Sequence, residues 1–234
     1  MTAYSSCQAA PSVIIATYKR EALLDRCLAA LAAQTLAAAE VIVVDDASTD
    51  RTPEVLRAWA ARSSLPLRIE RLAQNGGPAR ARNHGIRLAG GAWVAFTDDD
   101  CEPQPEWLAA LAANAAAAPE TVAGIGGRVL PAAPGLIADY MTLHRILDPP
   151  PSCSYIVTAN CIYRRSVLLE VGGFDQMVRE PGGEDPGLSF AVRRAGHSLA
   201  YCQEAVVRHH YRESALNFLR TFYRYGRGCR LVMG

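Results

Sequence analysis

Four short strand-like runs separated by stretches of helical period constrain this chain more than any other feature. Val13-Ile14-Ile15-Ala16 and Val41-Ile42-Val43-Val44 are apolar at every position, the pattern of strands buried on both faces. Leu67 to Leu72 alternates apolar with charged residues and reads as a third strand, and Trp93 to Phe96 as a fourth. From Glu21 onward Leu23, Leu24, Cys27, Leu28 and Leu31 recur at helical spacing. A second helix beginning near Pro53 carries Val55, Leu56 and Trp59, and Asn75-Gly76-Gly77-Pro78 is a turn. A third helix, Ala79 to Leu88, is stopped by Gly90-Gly91. Strand alternating with helix predicts a parallel sheet covered by helices. In such sheets ligands gather where strands end at their carboxyl edge.

Two acidic clusters sit at such ends. Asp45-Asp46 follows the second strand, and Asp98-Asp99-Asp100 follows the fourth. Three adjacent carboxylates repel one another, so a folded chain raises their pKa values or supplies a cation. The polar residues that are expensive to fold therefore line one edge of one sheet.

After Pro119 glycine, proline and short strands dominate, at Val122 to Leu130 and Tyr155 to Tyr163. Pro149-Pro150-Pro151-Ser152 reads as a rigid extended linker. Gly172-Gly173-Phe174-Asp175 and Pro181-Gly182-Gly183-Glu184-Asp185 flank an expected flexible loop. A helix then carries Leu188, Ala191, Val192 and Ala195 and ends at Gly196. The tail from Ser214 to Leu231 has helical spacing, with Arg220, Arg224, Arg227 and Arg230 among Phe218, Leu219, Phe222 and Tyr223.

The 24 Lys and Arg nearly balance the 23 Asp and Glu, so no global charge selects nucleic acid as a partner. The seven cysteines are scattered with no C-x-x-C pair, which favours reduced thiols and a cytoplasmic setting. No signal-peptide pattern opens the chain, and no apolar run approaches the length of a spanning helix. The basic, partly apolar tail reads as a solvated face or as a peripheral membrane contact.

Taken in order, the motifs resemble those of family 2 glycosyltransferases of GT-A fold. PSVIIATYKR is similar to that family's opening, with Thr17, Tyr18 and Arg20 facing the nucleotide, and VIVVDDASTD to its second-strand motif with Asp45 and Asp46. NGGPARARNHGI supplies Asn75, Gly77, Arg82 and Asn83. FTDDDCEP matches the DXD motif at Asp98 and Asp100. TANCIYRRSVLLEVGGFDQ resembles the acceptor-side block, with Asn160, and GGEDPGLSFAVRRAG the Glu-Asp motif at Glu184-Asp185. VVRHH supplies a late histidine, His209 in preference to His210. The resemblance runs from about residue 11 to about residue 212, and departs from the pattern at Pro186-Gly187-Leu188 and at Thr97.

The resemblance implies an α/β GT-A fold: a mostly parallel central sheet flanked by helices, with a smaller acceptor-side sheet. It implies one domain, with a nucleotide-sugar-binding half over about 11–118, an acceptor-binding half over about 119–212, and a C-terminal helix over 213–234. The expected activity is metal-dependent, inverting transfer of a sugar from a nucleotide-diphosphate donor, UDP in the first instance, to an acceptor hydroxyl. Mg²⁺ or Mn²⁺ would sit on Asp100, Asp98 and His209, with Asp98 and Asp99 also on the donor. Asp45, Asp46, Asn75 and Arg82 would complete the nucleotide-sugar site. Asp185 would be the general base, with Glu184 beside it in the catalytic pair, binding acceptor hydroxyls or positioning the loop, and Asn160 would meet the acceptor. That acceptor is a glycan, a lipid-linked species, a small molecule or a peptide. A competing reading is a catalytically degenerate nucleotide-sugar-binding or scaffold module, which the joint presence of Asp98, Asp100, Asp185 and a histidine disfavours. A phosphotransferase would want its DXD on the first strand, not after the fourth.

Overall fold

The computed structural model of the protein describes residues 10–148, 154–178 and 182–233, with side chains described up to residue 230. β1 (Ser12–Thr17) and β2 (Glu40–Asp45) are buried along almost their whole length. They pair in parallel from Ser12 opposite Glu40 to Thr17 opposite Asp45. β3 (Leu67–Arg71) adds to the outer side of β2, and β4 (Trp93–Thr97) to the other side of β1, both parallel. Between them run α1 (Glu21–Ala32), α2 (Thr52–Arg62) and α3 (Pro78–Leu88).

Side chains of a strand alternate faces, and here the alternation divides the core into two layers. Val13, Ile15, Val41, Val43 and Ala95 pack with Leu24, Leu28, Leu56 and Trp59 on one face. Ile14, Ile42, Val44, Val94 and Phe96 pack with Ile86, Leu168 and Leu188 on the other. Each such aliphatic side chain stabilises the fold by roughly 1.5–3 kcal/mol. α3 lies unusually close to β1, because a Cβ at Gly85 would come within 2.7 Å of Ile14 Cγ2.

The second half continues with β5 (Cys101–Pro103), α4 (Trp107–Ala117), β6 (Val122–Pro131), α5 (Leu136–Leu143), β7 (Asn160–Arg164), α6 (Arg165–Glu170), α7 (Glu184–Arg194), β8 (Ser198–His209) and α8 (Ala215–Met233). The strands order as β3-β2-β1-β4-β7-β6-β8-β5. β7 runs antiparallel to β4, with Thr97 opposite Asn160. Strand direction thus reverses where the second half joins the first.

Among the described residues the acceptor-side strands, expected as a smaller sheet, extend the same mixed sheet. The physical reason is that β4 would otherwise leave an open, apolar edge, which β7 covers. The expected strand over Tyr155 to Tyr163 begins only at Asn160, since Thr158-Ala159 forms a turn. α4 went unread because its alanine-rich sequence carries little amphipathic contrast. The expected linker at Pro149 to Ser152 lies outside the described residues, as does the centre of the loop expected before Glu184. Cys27, Cys101, Cys161, Cys202 and Cys229 are free thiols. Among the described residues no helix is long and apolar enough to cross a membrane.

Candidate active site

A cavity of about 910 Å³ opens at the carboxyl ends of β1 and β4. Twelve of the fourteen residues expected at the site line it: Thr17, Tyr18, Arg20, Asp46, Asn75, Arg82, Asp98, Asp99, Asp100, Glu184, Asp185 and His209. Asp45 and Asn160 do not.

Each of the three adjacent carboxylates has a different partner. Asp98 Oδ1 accepts a hydrogen bond from Arg82 Nη2 at 2.7 Å. Asp99 Oδ2 accepts from the Thr17 hydroxyl at 2.8 Å. Burial, and then the neighbouring Asp100, push Asp99 up to about 7, against the opposing pull of Arg20 and the Thr17 hydroxyl. Asp100 pairs with Arg20 Nη2 at 3.1 Å and with His209 Nε2 at 3.3 Å. The protein's own guanidinium groups therefore answer part of the charge problem posed by the sequence.

The pairing of Asp100 with His209 is a product of sheet register. β5 starts directly after Asp100, and Cys101 sits opposite His209 in the antiparallel ladder of β5 with β8. Ligand atoms of Asp100, Cys101 and His209 all lie within 4.8 Å of one another. His209 Nδ1 is buried without a hydrogen-bond partner. His210 instead bonds Glu102 at 2.6 Å, which distinguishes the two adjacent histidines. Burial, and then Asp100 and Asp98, hold the Cys101 thiol well above its usual range. A protonated thiol is a poor ligand, which leaves the Asp100 carboxylate, a hard oxygen donor of the kind Mg²⁺ and Mn²⁺ take, and the His209 imidazole, a borderline nitrogen donor. Asp98, expected among the metal ligands, lies outside this group and is turned to Arg82 instead.

Arg82 is the link between distant motifs. Its Nη1 meets Glu184 Oε1 at 3.2 Å while its Nη2 holds Asp98. Burial alone would lower its pKa, but Asp98 above all, then Asp185 and Glu184, keep it firmly charged. The next residue, Asn83, clamps the Gly172-Gly173-Phe174 turn: its Nδ2 donates to Phe174 O and its Oδ1 accepts from Phe174 N, both at 2.8 Å. Phe174 in turn lies under the Arg82 guanidinium, 5.6 Å from ring centre to Cζ.

Gly183, at φ 100°, turns the chain into α7, so Glu184 and Asp185 occupy the first helical turn where the dipole favours anions. Glu184 is buried, and its second oxygen accepts from Gly182 N at 2.5 Å. With each oxygen engaged once it braces the loop, as one of its two expected roles required, while still lining the cavity. Asp185 is held by one residue: Thr158 donates its hydroxyl to Oδ1 at 2.9 Å and its N–H to Oδ2 at 3.1 Å. Burial, and then Glu184, push Asp185 up to about 7, with Arg82 pulling against them.

Two of the expected residues stand off the cavity. Asn160 is fully buried, accepts from Trp107 Nε1, and donates to Arg128 O and Ala205 O. Its polar atoms are engaged in joining β6, β7 and β8. Asp45 caps the turn after β2 by accepting from Ser48 N at 2.8 Å, and faces Arg71 at 3.3 Å. Asp46 is the member of that pair on the cavity, held by Asn75 Nδ2, Gly76 N and Gly77 N.

The sequence reading missed the cavity's far wall. Met141 on α5 and Phe218, Phe222, Arg224 and Tyr225 on α8 line it, together with Arg212. Arg20 first, and then burial, lower the pKa of Arg212, as happens when two cations crowd one region. The only sequence signal for Arg212 was its place three residues after His209.

Residues 12–172 match the family model described as glycosyl transferase family 2. The chain is 30% identical over 230 residues to glycosyltransferase AglE of Haloferax volcanii, covering 93% of this chain and 72% of that protein. It is 32% identical over 160 residues to the pre-mycofactocin glycosyltransferase of Mycobacterium tuberculosis, covering 63% of this chain and 33% of that relative. It thus spans a third of one relative's length and nearly three quarters of the other's. Its fold is similar to that of the mannosyltransferase PcManGT of Pyrobaculum calidifontis, solved with GDP-Man and Mn²⁺. The TM-score is 0.72 at 24% identity, over 92% of this chain and 61% of that one. That likeness establishes the GT-A architecture which the motifs implied. With the family match covering more than half of the sequence, the chain belongs to glycosyl transferase family 2.

Proposed function

We propose that the protein transfers a sugar from a nucleoside-diphosphate donor, a UDP-sugar in the first instance, to an acceptor hydroxyl with inversion at the anomeric carbon. One observation carries this reading. Arg82 bridges Asp98 and Glu184, which brings the DXD and Glu-Asp motifs onto one cavity beside Asp100 and His209.

In this reading residues 11–118 hold the donor, residues 119–212 the acceptor, and α8 closes the wall between them. Tyr18 and Asn75 flank the nucleotide, and Arg20 and Arg212 meet the negative charge of the diphosphate. Asp100 and His209 would hold a divalent cation, and the Asp98–Arg82 pair would complete the charges of the site. When bound, the cation supplies Lewis-acid neutralisation of the departing diphosphate. Asp185 takes the proton from the acceptor hydroxyl as that oxygen attacks the anomeric carbon. Thr158 fixes the orientation of the carboxylate, and a pKa near 7 makes Asp185 a stronger base than a solvated carboxylate.

The test has two parts. Thermal melting with UDP, GDP and dTDP, each with and without Mn²⁺, reads donor binding, since ligand at about 100 times its dissociation constant stabilises by roughly 2.7 kcal/mol. Asp185→Asn should then keep that stabilisation and lose transfer. Full transfer by this variant would remove Asp185 as the base. Nucleotide binding with neither transfer nor donor hydrolysis in the parent protein would favour the degenerate module.

A further inference from the structure

α5 and α8 carry apolar rows that the fold leaves open to solvent. On α5, Leu136, Tyr140 and Leu143 stand at intervals of four and three, and the two leucines are 84% and 78% exposed. On α8, Leu216, Leu219 and Tyr223 stand at intervals of three and four, each more than half exposed. The rows meet where Tyr140 packs edge-on against Phe218 and Phe222, with ring centroids 5.1 and 5.8 Å apart. Glu213 joins the helices further by accepting from Ile137 N and Ala138 N at the start of α5. A contiguous exposed apolar surface of this kind marks a site of association.

Charge narrows the identity of the partner. From Ala215 to Met233 α8 contains four arginines and no acidic residue, which outweigh the exposed Asp139 of α5, in a chain whose net charge is only +1. Arg220, Arg227 and Arg230 are exposed, and Arg227 lies over the Tyr223 ring within the apolar row. The same face on a second copy would set these arginines against one another across a two-fold axis. Apolar side chains interleaved with arginines on one helix match the boundary between anionic headgroups and acyl chains.

The face is also fixed relative to the cavity. α8 is seated on the Gly182-Gly183 loop, where a Cβ at Gly228 would collide with the Gly182 carbonyl. The inner sides of both helices, through Met141, Phe218 and Phe222, form the cavity wall.

We propose that the α5–α8 face docks on an anionic lipid bilayer, which holds the cavity wall built by these two helices at the lipid surface. The inference does not depend on the catalytic reading.

Co-sedimentation of the full chain with phosphatidylcholine vesicles, with and without phosphatidylglycerol, tests it. Binding should require the anionic lipid and weaken with salt. Each arginine near such a surface strengthens binding by about fivefold. Arg220→Gln with Arg230→Gln should therefore weaken it roughly 25-fold. Leu216→Asp with Leu219→Asp should abolish sedimentation while thermal melting and its response to nucleotide stay at parental values. No binding to the anionic vesicles, or equal binding by the parent and both variants, overturns the proposal. So does a concentration-dependent dimer in sedimentation velocity that the leucine variant abolishes, which assigns the face to a second copy. Loss of the nucleotide response in the parent protein would count against the donor site alone.

Discussion

Replacing Arg82 by methionine keeps the side chain's volume but removes the charge that joins two carboxylate motifs. Arg82 is 6% exposed and Glu184 5% exposed, so neither is screened by much water. The Asp98 side chain is 29% exposed and can recover part of its hydration, which puts most of the cost on Glu184. Removing one partner of a buried ion pair costs roughly 3–5 kcal/mol, because the other charge remains uncompensated. For a chain of this size each kcal/mol moves Tm by roughly 2–4 °C. Arg82→Met should therefore melt about 10 °C below the parent. Glu184→Gln in the Arg82→Met background should restore part of the loss, since the glutamine oxygen still accepts from Gly182 N while the orphan charge is gone. A favourable coupling of about 2 kcal/mol is expected from the double-mutant cycle. The measurement is thermal and urea unfolding of the four proteins at one pH. If Arg82→Met melts with the parent, or if Glu184→Gln deepens the loss, the bridging role is wrong.

With a pKa raised to about 7, Asp185 must lose its proton to act as base. The kcat/KM for transfer should climb with pH up to that value and then level off, and a profile flat across it would contradict the assignment. The same shift has the opposite sign for stability. The native state binds more protons than the unfolded chain between the ordinary aspartate range and about 7, so this group's contribution is lost as pH rises through that window. His209→Ala should weaken Mn²⁺ dependence at least tenfold, whereas His210→Ala should leave it near parental, as read by titrating metal into the transfer assay; equal effects would show that the sheet register does not select the ligand. Asn160→Ala should destabilise by about 3 kcal/mol or more, because it strands the buried Trp107 N–H and two carbonyls. Unfolding curves would show that loss, with the acceptor KM of the folded fraction unchanged.

Much of the nucleotide half was legible because local rules and global packing agree there. Continuous apolar runs produced β1 and β2, buried on both faces, and the intervening periodic segments produced α1 to α3. The second half was less legible. α4 has too little amphipathic contrast to mark a face, and β8 was visible only through its last residues. α8 read as a basic helix with a solvated face or a peripheral membrane contact, and its role in walling the cavity with one side was not legible. Asn160 illustrates the limit of motif reading. A polar residue in a recognised block can equally serve an acceptor or tie three strands together, and its neighbours in sequence do not say which.

Sequence alone determined the strand–helix alternation, the family and the clustering of acidic residues at strand ends. These follow from short-range periodicity and from residue types at fixed spacing, which survive without coordinates. Tertiary structure decided which carboxylate meets which partner. Asp98 turns to Arg82, Asp99 to Thr17, and Asp100 to Arg20 and His209. Those choices depend on the close approach of α3 to β1, the reversal at β7 and the register of β5 with β8. Each joins residues tens to more than a hundred positions apart, and such contacts exist only once the whole sheet has closed.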